Sequence, residues 1–238
     1  MSTSSSGNGQ LSTERWDRFV FWARRWYEWP GFVEFERGYK DEISANLSDA
    51  RIAVQRDAPD WPELLKRAFG PPNNLTDWRD NDTFLKWTVR FPDLCRASLL
   101  AIWNPRLQLE ERIRGFLSIV PPEAVRGPLP LVSFLLMGAS AENYPIYRAT
   151  PIAAGCKLVG FPPVGGEPDR AAEYRHALRF FQRIRDEAEE RGLHLATNLD
   201  AQSVTWCITM EEPPSDWSDA DQHAFLAYRG RSRRTGHA

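Results

Sequence analysis

The sequence is short of several residues that would mark common chemistries. It has three cysteines, four histidines and four lysines (Lys40, Lys66, Lys86 and Lys157) in 238 residues. Cys95, Cys156 and Cys207 lie far apart, with no second Cys or His at metal-ligand spacing beside any of them, and read as small core residues. His176, His194, His223 and His237 are equally scattered, so nothing in the spacing argues for zinc. No metal or other cofactor is expected. No apolar run approaches the roughly 18 residues of a membrane helix. The longest candidate, Leu129 to Ala139, is about half that, and the N-terminus lacks a charged-then-apolar signal pattern. A cytoplasmic protein with no membrane partner is expected.

The motifs of nucleotide and hydrolytic chemistry are also missing. There is no G-x-x-x-x-G-K-[ST], no G-x-G-x-x-G, no H-E-x-x-H and no G-x-S-x-G. The four lysines fall in no Asp…Glu-x-Lys nuclease pattern. The pairs Glu110-Glu111 and Glu189-Glu190 fall on predicted outer helix faces and read as solvated charge. The chain is not expected to be an enzyme.

What is present is an ordinary core-forming composition, with 42% hydrophobic and 26% charged residues and ten tryptophans. A net charge of -2 confines any basic site to a local patch. Hydrophobic spacing predicts helices almost throughout. Ser12 or Thr13 reads as the cap of a first helix carrying Trp16, Phe19, Val20, Ala23 and Trp26, closed by Pro30-Gly31. Phe35, Tyr39, Ile43, Leu47, Ala50 and Val54 form one stripe of a second. Asp60-Trp61-Pro62 opens a third. Pro92, Pro105 and Pro121 then punctuate short helices, Leu131 to Ala139 is the most apolar, and a long helix runs from Asp169 to Arg191, with Gly192 as its stop. Asp200 reads as the cap of a helix through Thr209, although Val204 to Thr209 also alternates like a strand. The expected fold is all-α, a compact domain of about 8 to 10 helices over residues 12–210. Residues 1–11, rich in Ser and Gly, are expected to be disordered, and 211–238 a charged tail or linker with a short helix. Its basic block is Arg229, Arg231, Arg233 and Arg234, a solvated tail or an arm on DNA phosphates.

Three loops carry groups suited to recognition. Gly70-Pro71-Pro72-Asn73-Asn74-Leu75 presents two amides that can pair with adenine edges or cap the next helix. Tyr144-Pro145-Ile146-Tyr147-Arg148 can stack on a base, or pack between helices with Arg148 in a salt bridge. Leu199-Asp200-Ala201-Gln202-Ser203 places Gln202 near a helix start, where anions are favoured.

These segments, in this order, resemble the N-terminal domain of McrB-like AAA+ ATPases of bacterial modification-dependent restriction systems. The likeness rests on Tyr39-Lys40, the Gly70 to Leu75 loop, Phe84-Leu85-Lys86-Trp87, Leu100-Ala101-Ile102-Trp103 and Glu111-Arg112-Ile113. It continues through Ser133 to Gly138, Tyr144 to Arg148, Leu158-Val159-Gly160, and Leu199 to Ser203 with Trp206. The resemblance implies a non-catalytic DNA-recognition module that targets an antiviral restriction complex to foreign or modified DNA. Its partners would be DNA and the AAA+ motor and nuclease subunits. The motor lies outside this chain, which the resemblance makes a separated recognition domain, a stand-alone homologue or a truncated product. On this reading Lys40 and Arg148 reach phosphates, Asn73 and Asn74 read base edges or backbone, and Tyr147 stacks. Gln202 lies near the same surface, and Arg112 is counted with the DNA-binding set. A fainter likeness, from Ser133 to Gly160, is to helix-hairpin-helix DNA glycosylases, although Tyr147-Arg148-Ala149-Thr150 lacks their carboxylate. A protein-interaction module of a defence complex and a glycosylase-like enzyme are the alternatives.

Overall fold

A computed structural model describes residues 6–230, with side chains from Thr13 onward. The described residues form an all-α fold of eleven α-helices, ten of them up to Met210 as expected, and contain no strand. In chain order these are α1 (Ser6–Tyr27), α2 (Gly38–Arg56), α3 (Trp61–Phe69), α4 (Trp78–Arg90), α5 (Pro92–Ile102) and α6 (Leu109–Ile119). They continue with α7 (Pro128–Ser140), α8 (Ala149–Val159), α9 (Arg170–Glu190), α10 (Asn198–Met210) and α11 (Asp219–Tyr228). A π-helical turn, Val33–Arg37, leads into α2, and a 3-10 turn, Pro122–Ala124, precedes α7. None of these helices is long and apolar enough to cross a membrane.

Two helices are buried on nearly all sides. In α7 every residue from Leu131 to Gly138 is buried, as is Leu199 to Cys207 in α10 except for Trp206. Helix α7 packs on α2, α5 and α9, and α10 packs on α1, α8 and α9. A helix that is apolar all round belongs in the interior, which accounts for the runs of Leu and Phe in α7. Its last carbonyls are satisfied from α2: Ser44 Oγ donates to Met137 O at 3.0 Å and Arg51 Nε to Gly138 O at 2.8 Å. The two packings depend on close approach. A Cβ at Gly138 would sit 2.9 Å from the Leu47 backbone oxygen, and one at Gly155 of α8 would sit 2.9 Å from Thr205 of α10.

Three expectations need correction. The first helix begins at Ser6, so Ser12 and Thr13 lie within it and residues 6–11 are helical; residues 1–5 are outside the described residues. The cap of α10 is Thr197, whose Oγ accepts from the Asp200 N–H at 3.1 Å. Asp200 instead occupies the third helical position and bonds back to Thr197 N at 2.9 Å, a reciprocal capping box. The helix itself runs through Val204 to Thr209 as expected. Finally, residues 211–230 contain the expected short helix, α11, but are packed on the core rather than a solvated tail. Trp217 and Phe225 are buried against Trp22 and Trp26 of α1, with Trp22 and Trp217 stacked at 5.9 Å. Arg229 donates to the Glu211 carbonyl. Acidic residues flanking this aromatic set hide its apolar character in a charge reading. Arg231, Arg233 and Arg234 are outside the described residues.

Candidate functional site

The π-turn before α2 is where the site begins. Its closing bond runs from Gly38 N–H to Val33 O, one residue wider than an α-turn. The insertion re-aims the incoming segment: Phe35, expected on the buried stripe, is exposed, while Glu36 turns inward. Glu36 and Lys40, four residues apart, then share one face. Both are almost fully buried, at 2% and 1% exposure.

The Lys40 ammonium donates to Glu36 Oε1, to Gln202 Oε1 at 2.8 Å and to Ser203 Oγ at 3.0 Å. Its three protons are therefore all engaged, and the cation ties α2 to α10. Burial pushes the Glu36 carboxyl up and the Lys40 ammonium down from their ordinary values, while the attraction between them opposes both shifts. Tyr39 adds a longer bond to Glu36 Oε2 at 3.4 Å, and burial raises its phenol pKa. Next to the pair, Arg37 is bound to Asp200, the residue that also closes the α10 capping box.

Glu36, Tyr39, Lys40 and Gln202 form one wall of a cavity of about 270 Å³. The opposite wall is aromatic and cationic. The Arg148 guanidinium lies 5.2 Å from the Trp206 ring centroid and donates to Leu75 O at 2.6 Å. Trp206 Nε1 in turn donates to Glu211 Oε1 at 2.6 Å. Asn74, Leu75 and Ile146 complete the rim. Because Lys40 holds the Gln202 oxygen, the Gln202 amide nitrogen remains as a donor beside the cavity. Two carboxylates and two cations line it (Glu36, Glu211, Lys40 and Arg148), a balanced set that suits a neutral polar group better than an anion.

The tertiary structure therefore brings together Lys40, Asn74, Arg148 and Gln202, which lie far apart in the chain. Their roles differ from those expected. Lys40 has no exposed surface with which to reach a phosphate; it is an internal strut. Asn73 is engaged locally: its oxygen accepts from Leu75 N–H at 2.9 Å and its nitrogen donates to Thr76 Oγ at 3.0 Å, an Asx turn. Its amide neither faces the cavity nor caps α4, which Asp77 caps. Tyr147 is turned inward, its hydroxyl donating to Glu173 Oε1 at 2.6 Å, so its ring is not presented for stacking. Arg112 is buried at a different groove, where its Nε donates to Ile102 O at 2.8 Å.

Glu36, Tyr39, Trp206 and Glu211 were not among the sequence-derived site residues. The spacing of Glu36 and Lys40 carries a helical pairing signal, but an i,i+4 ion pair is ordinarily solvent-exposed. Burial of this one depends on α10, about 160 residues later in the chain.

A second groove, lined by Asn73, Thr76, Asp77, Trp78, Asp80 and Pro130, shares Asn74, Leu75 and Arg148 with the cavity. Trp78 is 67% exposed, and the Arg79 guanidinium lies over it at 4.6 Å. Among the described residues no three His, Cys, Asp or Glu side chains converge as metal ligands. Compared with protein-family models, curated proteins and solved structures, the chain matches none of them.

Proposed function

We propose that the chain is a non-catalytic DNA-recognition module of a restriction complex, and that its cavity receives one unstacked base. The observation that carries this reading is the cavity itself, where a buried amide donor and a carboxylate face an arginine-backed indole. A flipped base is read through hydrogen bonds to its edge and held by stacking on aromatic or apolar side chains. The balanced charge of the lining favours a neutral base over a phosphate. The exposed Trp78, at the end of the adjoining groove, offers a platform for a neighbouring base. The AAA+ motor and nuclease partners follow from the sequence resemblance.

The test is binding of the purified chain to labelled duplexes at two salt concentrations. The panel comprises unmodified, 5-methylcytosine, hydroxymethylcytosine and N6-methyladenine duplexes and single-stranded DNA. Salt-sensitive binding with a preference for one member is expected. Gln202→Glu keeps an oxygen for Lys40 but replaces the remaining donor with an acceptor, and should flatten that preference. A folded protein that binds none of the panel, or a preference unchanged in Q202E, refutes the reading.

Glu36 favours a second reading. A carboxyl raised by burial and lining a cavity is a common form of general acid. Base release from one of these duplexes, abolished by Glu36→Gln with binding retained, would replace the recognition module with a glycosylase-like enzyme.

A further inference from the structure

We propose that the groove between the start of α6, the start of α10 and the outer face of α9 is a binding site for a phosphate group. This site is separate from the base cavity and does not depend on the reading given to it. The groove has a volume of about 500 Å³. Arg112, Arg175 and Arg179 line it together with Gln108, Gln182 and Asn198, and no Asp or Glu does so among the described residues. Such a lining is unusual in a chain whose net charge is -2.

Arg112 is the informative residue. It is 5% exposed, yet among the described residues no carboxylate pairs with it. Its Nε is held by Ile102 O, and its guanidinium carbon lies 5.2 Å from the Tyr144 ring centroid, with a long contact from Nη1 to the Tyr144 hydroxyl at 3.5 Å. A buried cation is ordinarily matched by an anion, and none is supplied from within. Anchoring through Nε and the ring leaves the terminal nitrogens of the fork beside the groove, the geometry with which arginine grips a phosphate.

Two further arginines stand on α9, at positions 175 and 179, one turn apart and so on one face. Arg175 is bound to Glu110, whose carboxyl the pairing holds below the usual range. Arg179 is exposed and has no ion-pair partner among the described residues. Of the nearest acids on α6, Glu110 matches the charge of Arg175, and Glu111 is held by the Gln108 backbone N–H at 3.0 Å, which leaves Arg112 and Arg179 as the uncompensated cations of the groove. Around the rim, the Gln182 amide nitrogen donates to Asp186 Oδ1 at 2.8 Å and that of Asn198 to Asn143 O at 3.2 Å, each with one N–H to spare, while the Gln108 side chain is part of the α6 capping box.

The experiment is calorimetric titration of the full chain with inorganic phosphate at constant ionic strength. A parallel titration of a labelled duplex is run across salt concentrations. Arg179→Ala removes an exposed side chain without an ion-pair partner and should leave thermal unfolding in phosphate-free buffer unchanged. It should weaken phosphate binding about tenfold. Arg179→Glu should abolish it, and Arg112→Lys should weaken it because an ammonium lacks the fork. If R179A also weakens duplex binding and reduces its salt slope by about one, the phosphate is that of a nucleic-acid backbone. If phosphate binding falls and duplex affinity does not, the site serves a small phosphorylated molecule. Either outcome supports the site. Phosphate binding unchanged in both R179E and R112K overturns it, as does a wild-type chain that binds no phosphate and whose duplex affinity ignores Arg179.

Discussion

Replacing Lys40 by Met gives the sharpest test of how the cavity wall is held. The substitution preserves most of the side-chain volume and removes a cation that makes three hydrogen bonds. It leaves Glu36 buried without its ion-pair partner, and removing one member of a buried pair costs about 3–5 kcal/mol. In a chain of this size that corresponds to a fall in melting temperature of roughly 6–20 °C. The loss should depend on pH. Without Lys40, burial holds the Glu36 pKa further above its unfolded value of about 4.3. A group that binds its proton more tightly when folded stabilises the native state at low pH. That contribution is lost as pH rises through the folded pKa. The deficit of Lys40→Met against wild type should therefore be smallest near pH 4.5 and full near pH 8. The double variant Glu36→Gln with Lys40→Met removes the ionisable group, and so should abolish this slope and recover part of the stability. Urea unfolding of the four chains of the cycle, at both pH values, measures each term. A K40M chain within about 1 kcal/mol of wild type near pH 8, with no rescue by E36Q, would refute the buried pair as the strut between α2 and α10.

Trp217→Ala should cost about 3–5 kcal/mol in chemical denaturation, because Trp217 packs on Trp22 and Trp26; a solvated tail would lose less than about 0.5 kcal/mol. Gly155→Ala should destabilise by about 1–3 kcal/mol, since the new methyl meets Thr205 at 2.9 Å and Phe180 at 3.0 Å, and hydrogen exchange should report faster opening of α8. Thr197→Ala removes half of the α10 capping box and should cost about 1 kcal/mol, measured as a shift in the urea midpoint.

What the sequence determined by itself is the secondary structure and most of the core. Helical periodicity, proline punctuation and stop glycines are local properties, and they place α3, α5, α6 and α9 within a few residues of their observed limits. Local signals fail where a distant element decides the outcome. The inward turn of Glu36 follows from a π-turn that no residue pattern announces. The charged C-terminal segment folds because Trp22 and Trp26, about 190 residues away, offer an aromatic surface to Trp217 and Phe225.

The site divides in the same way. Sequence nominated Lys40, Asn74, Arg148 and Gln202, and these converge on one cavity. It had no means of telling an exposed tyrosine from Tyr147, whose hydroxyl is held by Glu173, or a surface arginine from the buried Arg112. Residue type and spacing specify what a side chain can do. Which groups it can reach, and whether water reaches it first, depends on helices brought together from opposite ends of the chain, and that was decided by tertiary packing alone.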